Sequence, residues 1–219
     1  MSLQKNIEEQ YKNRLDKSDL YNSDYSRFAD AERSIKTKQL VKEFLNINNK
    51  STVLEVGVGQ GGNINLLRQM GFNDQTIFVN ELLPERIESV KRNYPAIKIF
   101  EGDAIEINID QKFDCVFQST VFTSILKDED RIALATKMWE LLNPGGIILW
   151  YDFIYNNPNN KDIRKVDVKE VRKLFPKSVK SKIIKLTLAP PIGRRVGKLY
   201  NLFNVPFLRS HILGVFQKQ

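Results

Sequence analysis

The run Val53-Leu54-Glu55-Val56-Gly57-Val58-Gly59-Gln60-Gly61-Gly62-Asn63 constrains this chain more than any other feature. An apolar strand carrying an acid, Glu55, has to turn into a helix through glycines. Gly57, Gly59 and Gly61 allow a tight backbone turn and a close approach to a ligand with no Cβ in the way, and the helix that starts near Asn63 offers free N–H groups. That arrangement binds an adenosine-containing cofactor. Gly57, Gly59 and Gly62 also satisfy the dinucleotide fingerprint G-x-G-x-x-G, so at this point a nicotinamide enzyme stays open beside enzymes of other adenosine cofactors.

Two further acids at strand ends narrow the choice. Thr76-Ile77-Phe78-Val79-Asn80-Glu81 reads as a β-branched strand ending in Glu81, with Pro84 opening the helical run Glu85 to Arg92. Glu81 is thereby placed to accept hydrogen bonds from two ribose hydroxyls. Ile97 to Glu101 is a third strand, and Asp103 beyond it can accept the exocyclic amine of adenine, a role for which a nicotinamide fold has no general use. Phe113 to Phe117 forms a fourth strand, a helix runs through Lys137 and Trp139, and the turn Leu142-Asn143-Pro144-Gly145-Gly146 leads into a fifth strand from Ile147 to Asp152. Strands alternating with helices in this way predict a doubly wound parallel sheet, because parallel neighbours need helical crossovers.

These elements together resemble the class I S-adenosylmethionine-dependent methyltransferases over about residues 40 to 155. Glu55-x-Gly57-x-Gly59-x-Gly61 is similar to their first motif, Glu81 to their ribose acid, Gly102-Asp103-Ala104 to their adenine segment, and Leu142 to Gly146 to the turn before their fifth strand. The resemblance implies an α/β fold: a Rossmann-like seven-stranded sheet with its last strand antiparallel and helices on both faces. It also implies S-adenosyl-L-methionine as cofactor and S-adenosyl-L-homocysteine as product. A more distant likeness, in Trp150-Tyr151-Asp152-Phe153, Asn156-Asn157-Pro158, Ala189-Pro190-Pro191 and Pro206-Phe207-Leu208-Arg209, is to methyltransferases of bacterial surface-polysaccharide gene clusters. N-terminal helices cover the donor in the family. Here Ile7 to Leu15 and Tyr25 to Leu45 read as helices, and Tyr11, Tyr25 and Arg27 are the residues expected to close over the sulfonium or pair with the methionine carboxylate.

The chain of 219 residues accommodates one α/β domain: a helical cover over 1–46, a donor-binding core over 47–155 and a basic part over 156–219 with an insertion at 190–208. No apolar run is long enough to span a bilayer and the first ten residues are polar, which predicts a cytoplasmic protein. A single cysteine, Cys115, lies inside the fourth strand as a buried thiol and excludes both an internal disulfide and a cysteine-rich zinc site; no metal is expected. The formal charge of +8 is unevenly distributed. Residues 161–219 hold 15 Lys and Arg against 3 Asp and Glu, whereas residues 1–160 hold 19 against 23.

Methyl transfer is an in-line displacement, so the protein supplies chiefly alignment and exclusion of water. A hydroxyl acceptor additionally needs a proton acceptor, for which Asp152 is the first candidate and Tyr151 the second. Gln118 to Val121 is expected to line the adenine and acceptor pocket. Enzymes that methylate exocyclic base amines carry Asn or Asp followed by Pro-Pro and an aromatic after strand four; Gln118-Ser119-Thr120-Val121-Phe122 departs from that pattern and counts against nucleic acid. The reading is therefore O-methylation of a small-molecule or glycan-type acceptor. The insertion, with Arg194, Arg195 and Lys198 among apolar residues, is expected to wall an anionic acceptor or touch a membrane. The alternatives are an RNA methyltransferase docking through its basic C-terminal part, a nicotinamide oxidoreductase and a non-catalytic nucleotide-binding module.

Overall fold

The structure is a computed structural model and describes residues 23–156, 160 and 162–219. The expected first helix, Tyr11, Asn157 and Pro158 lie outside the described residues. The chain proceeds through α1 (Asp24–Lys42), β1 (Val53–Val56), α2 (Ile64–Met70), β2 (Ile77–Glu81), α3 (Pro84–Asn93), β3 (Lys98–Glu101) and β4 (Phe113–Ser119). It continues through α4 (Asp128–Glu140), β5 (Leu142–Phe153), α5 (Val168–Leu174), β6 (Lys180–Leu188), α6 (Pro190–Val196), α7 (Tyr200–Phe203) and β7 (Arg209–Gln217). Short 3-10 turns follow β4 and flank α7.

The seven strands form one sheet in the order β3-β2-β1-β4-β5-β7-β6. β1 to β5 are mutually parallel, and β7 alone runs antiparallel, between β5 and β6. The hydrophobic pattern dictates this burial. Every residue of β1 is buried, as expected for a strand covered by helices on both faces. Alternation then sorts side chains to two cores: Leu54, Val56, Val116, Ile148 and Trp150 pack with Met138 of α4, while Val53, Cys115, Phe117 and Leu149 pack with Leu40 of α1 and Leu67 of α2. Cys115 is a buried free thiol.

The expected turn at Leu142–Gly146 is instead built into β5. Leu142 pairs with Phe113 and Ile147 with Cys115, so the register shifts and the intervening residues bulge. A Cβ on Gly146 would come within 3.0–3.2 Å of the Asn143, Phe113 and Asp114 carbonyl oxygens, which explains the glycine there.

Strand order reverses at β1, whose neighbours β2 and β4 send their following segments in opposite directions. The crevice left between them at the carboxyl ends of the strands is where open α/β sheets bind ligands. No helix among the described residues is long and apolar enough to cross a membrane.

Candidate functional site

Glycine is required in the turn after β1 for two separate reasons. Gly57 and Gly61 adopt φ of +70° and +86°, and a Cβ on them would lie 2.6 Å from the Val121 side chain and 2.4 Å from Tyr94 respectively. Gly62, the third glycine of the dinucleotide fingerprint, has nothing within 4 Å of such a Cβ and no positive φ. The glycines that the backbone needs are thus those of Glu55-x-Gly57-x-Gly59-x-Gly61.

Glu81 joins this turn to β2. Its Oε2 accepts the Gly59 N–H at 2.7 Å, and its Oε1 accepts the Leu82 and Leu83 N–H groups at 2.9 and 3.0 Å. Oε1 is thereby saturated, whereas Oε2 retains capacity for one further donor, as a ribose hydroxyl would supply. Asp103 stands beyond β3 with Oδ1 accepting the Ile105 N–H at 2.9 Å. Gly57, Gly59, Glu81, Asp103 and Ala104 line one cleft of about 1140 Å³, together with Ser119, Thr120, Val121, Phe153 and Ile163. That volume exceeds what an adenosyl ligand alone occupies, and the cleft continues beside the ends of β4 and β5.

Four side chains tie the floor of this cleft together. Asn63 Nδ2 donates to Glu55 Oε1 at 2.5 Å, while Arg33 Nη2 donates to Asn63 Oδ1 at 2.8 Å and to Ser119 Oγ at 3.0 Å. The Arg33 guanidinium also lies 4.1 Å from the centre of the Tyr151 ring, and its Nε is buried with no hydrogen-bond partner. Glu55 is fully buried with Oε2 likewise unpartnered. Burial pushes the Glu55 carboxyl up to about 8, helped by nearby Glu81 and opposed by Asn63 and Arg33.

This predicts an unusual pH dependence. Above about 4.5 an unfolded Glu55 is ionised, whereas the folded one keeps its proton until about 8, so folding takes up a proton in that window and stability falls as pH rises through it. Glu55→Gln is expected to match the wild type in denaturant melts below pH 4.5 and to exceed it by roughly 2–4 kcal/mol at pH 8. A constant difference across that range would show that Glu55 does not titrate abnormally.

The comparisons with known proteins agree with this geometry. A family model described as a methyltransferase domain matches residues 53–146. Over this core, which includes the glycine turn, Glu81 and Asp103, the chain is similar to a methyltransferase domain. Proteins named uncharacterized methyltransferases from Bacillus cereus and Bacillus anthracis are 32% identical over 117 residues, which is 52% of this chain. The chain spans about half the length of the curated relatives it matches, 53%. Among solved structures, the N-methyltransferase NodS from Bradyrhizobium japonicum WM9, in complex with S-adenosyl-L-homocysteine, superposes over 100% of this chain and 99% of its own with TM-score 0.69 at 12% identity. A putative sarcosine dimethylglycine methyltransferase from Galdieria sulphuraria has TM-score 0.65 at 12% identity, covering 99% and 98%. The glycopeptide N-methyltransferase MtfA has TM-score 0.57 at 14% identity, covering 83% and 89%. At such identities the likeness is one of fold.

Several residues singled out in the sequence lie away from the cleft, the fully buried Glu55 among them. Tyr25 is buried against Tyr200 with its hydroxyl donating to the Leu188 carbonyl at 3.0 Å, and Arg27 is exposed and paired with Asp24. Neither lines the cleft; Arg33, two turns further along α1, does. The signal for Arg33 was available, since Ala29, Arg33, Thr37 and Val41 fall at four-residue spacing and its three companions are buried. Gln118 is fully buried rather than lining the pocket: its Oε1 accepts the Val121 N–H at 3.1 Å and its Nε2 donates to the Tyr151 carbonyl at 3.4 Å, anchoring the turn after β4.

Tyr151 and Asp152 are also covered. The Tyr151 hydroxyl meets Thr187 Oγ1 at 3.2 Å, and its ring stacks on His211 at 5.0 Å. His211 lies opposite Phe153, at the carboxyl end of β5, and burial lowers its imidazole to about 3, so it is neutral. Asp152 has no exposed surface. Its Oδ1 accepts the Phe153 N–H at 2.9 Å; Oδ2 accepts no hydrogen bond, since the neighbouring Thr123 hydroxyl donates to the Thr120 carbonyl. Burial pushes the Asp152 carboxyl up to about 7, against the pull of Phe153, Thr123 and Arg131.

Proposed function

We propose that this chain transfers a methyl group from S-adenosyl-L-methionine to a small-molecule or glycan-type acceptor. The observation that carries the reading is the glycine turn held to Glu81, with a positive-φ glycine backed against Val121 and an acid on the neighbouring strand whose Oε2 can accept a ribose hydroxyl. When bound, the sulfonium supplies the activated methyl group. The residues present fit the donor. Glu81 Oε2 takes a ribose hydroxyl, Asp103 the adenine amine, and the Arg33 guanidinium, which lines the cleft, suits the carboxylate of the methionine end. Val121, Phe153 and Ile163 exclude water from the acceptor half.

Among the described residues, the acceptor half is lined by Ser119, Thr120, Val121, Thr123, Phe153 and Ile163, none of which is a base at neutral pH. Positioning alone suffices for a neutral amine, whose lone pair is available without a base, and the named N-methyltransferases of similar fold point the same way. A hydroxyl acceptor is the second reading, favoured by Asp152. Burial pushes its carboxyl up to about 7, and it lies beside Thr123, which lines the cleft.

The test is calorimetric binding of S-adenosylhomocysteine, followed by methyl transfer from S-adenosylmethionine across a panel of amino sugars, nucleotide sugars and glycans. Binding in the micromolar range and turnover of at least one acceptor are expected; absence of donor binding removes the proposal. With a hydroxyl acceptor, kcat/KM is expected to rise with pH through about 7 and Asp152→Asn to lower it by about a hundredfold. Wild-type turnover in that variant, with a profile following the acceptor's own ammonium, assigns an amine.

A further inference from the structure

The segment between β6 and β7 is fastened on one side only. Tyr200 is fully buried between Tyr25 and Phe28, with ring centroids 5.9 Å from each, and its hydroxyl donates to Glu32 Oε2 at 2.6 Å while accepting the Leu188 N–H at 3.1 Å. Asn204 Nδ2 donates to the other Glu32 oxygen at 2.7 Å. None of the residues lining the main cleft comes from 190–208, so the segment does not wall the acceptor site as the sequence suggested.

Its outer side is apolar and exposed. Leu199, Leu202, Phe203 and Phe207 retain 57%, 72%, 39% and 78% of their accessible surface. Of the nine large hydrophobic side chains exposed among the described residues, these four fall within nine positions. Leu199, Leu202 and Phe203 stand at i, i+3 and i+4, the spacing of one helical face, while Tyr200 beside them is buried. Arg194, Arg195 and Lys198, immediately before them, are exposed. The last acidic residue in the chain is Glu170, so nothing in the sequence from β6 onward neutralises these cations.

We infer that this surface docks on an anionic lipid bilayer, with Leu199, Leu202, Phe203 and Phe207 entering the headgroup–acyl boundary and Arg194, Arg195 and Lys198 meeting lipid phosphates. Charge decides between the possible occupants. A second copy packed across a twofold axis would bring three uncompensated cations against the same three. A nucleic acid would neutralise the cations and leave four apolar side chains in water. An anionic membrane satisfies both sets at once: apolar burial and attraction to phosphate add, and each cation near such a surface contributes independently. The position is also apt. β6 runs parallel to β5, so its last residue, Leu188, lies at the same edge of the sheet as Phe153 of the cleft. A bilayer held there adjoins the open side of the site.

The proposal is separable from the donor reading, because vesicle binding and S-adenosylhomocysteine binding are independent measurements. Full-length protein is sedimented with phosphatidylcholine vesicles containing about one third phosphatidylglycerol, at low salt, beside pure phosphatidylcholine. Wild type is expected to partition onto the anionic vesicles about tenfold or more strongly than onto the neutral ones. Leu202→Glu/Phe207→Glu and Arg194→Glu/Arg195→Glu should each lose about tenfold or more while binding S-adenosylhomocysteine as the wild type does. Leu202→Ser/Phe207→Ser removes the apolar contact without new charge if the glutamate pair does not fold. Failure of the wild type to bind anionic vesicles overturns the proposal, as does unchanged binding by the folded apolar or arginine variants. A wild-type dimer that Leu202→Glu/Phe207→Glu dissociates assigns the surface to a second copy and equally overturns it.

Discussion

Glu81→Ala is expected to weaken S-adenosylhomocysteine about a hundredfold, the largest single effect on ligand binding in the molecule. A charged hydrogen bond contributes about 1.5–3 kcal/mol, so losing the one that Oε2 can offer a ribose hydroxyl removes about ten- to a hundredfold in affinity. The same substitution strands three backbone donors, Gly59, Leu82 and Leu83, which Glu81 now satisfies. The loss therefore combines a missing ligand contact with a loosened glycine turn. Glu81→Gln separates the two. Its single carbonyl oxygen can serve either Gly59 or the Leu82–Leu83 pair but not both, so an intermediate affinity is expected. Calorimetry of each folded variant decides the matter, and a wild-type dissociation constant in Glu81→Ala would remove Glu81 from the donor site.

Arg131→Met is expected to be strongly destabilising, because the buried guanidinium ties a loop to α4. Arg131, on α4, is 1% exposed. Its Nε donates to the Ile125 carbonyl at 2.8 Å, Nη2 to the Arg164 carbonyl at 2.8 Å, and Nη1 to Glu170 Oε1 at 2.5 Å and the Lys165 carbonyl at 3.2 Å. Methionine fills the volume but leaves three carbonyls and a carboxylate without that donor. Breaking one side of such a buried network costs about 3–5 kcal/mol, which for a domain of this size lowers Tm by about 10 °C. Lysine should not rescue it, since one ammonium cannot reproduce the planar fork. Ile125 and Ile163 both line the cleft, so the loop fastened by Arg131 shapes the acceptor half. A variant that melts within about 2 °C of the wild type would show that the loop stands without it.

The donor half was legible because its chemistry is local. Glu55, Gly57, Gly59 and Gly61 are close in sequence, and a strand end is a place that turn residues and acids mark for themselves, as Glu81 and Asp103 do. The start of α5 is local in the same way: Asp167 caps it, its side chain accepting the Glu170 N–H at 3.0 Å. β6 and β7 pair antiparallel across the intervening segment.

The acceptor half was not legible, because it depends on how far a helix advances over a sheet. Tyr25 and Arg27 have the same credentials in sequence as Arg33, and only the packing of α1 on β6 and on α2 puts Arg33 at Asn63 and Ser119 while turning Tyr25 toward Leu188. Asp152 follows the same logic. Its place after an apolar strand marks it as a candidate base, yet antiparallel pairing with Ile212 of β7 and the neighbouring Thr123 close it off from solvent. Sequence by itself determined the order of strands, the glycine turn and the acids at strand ends, since each of these is set by neighbours a few residues away. Tertiary structure alone decided which cation reaches the floor of the cleft, which carboxylate is covered and that Arg131 holds the acceptor loop, because each depends on contacts between segments tens of residues apart, whose register no local pattern encodes.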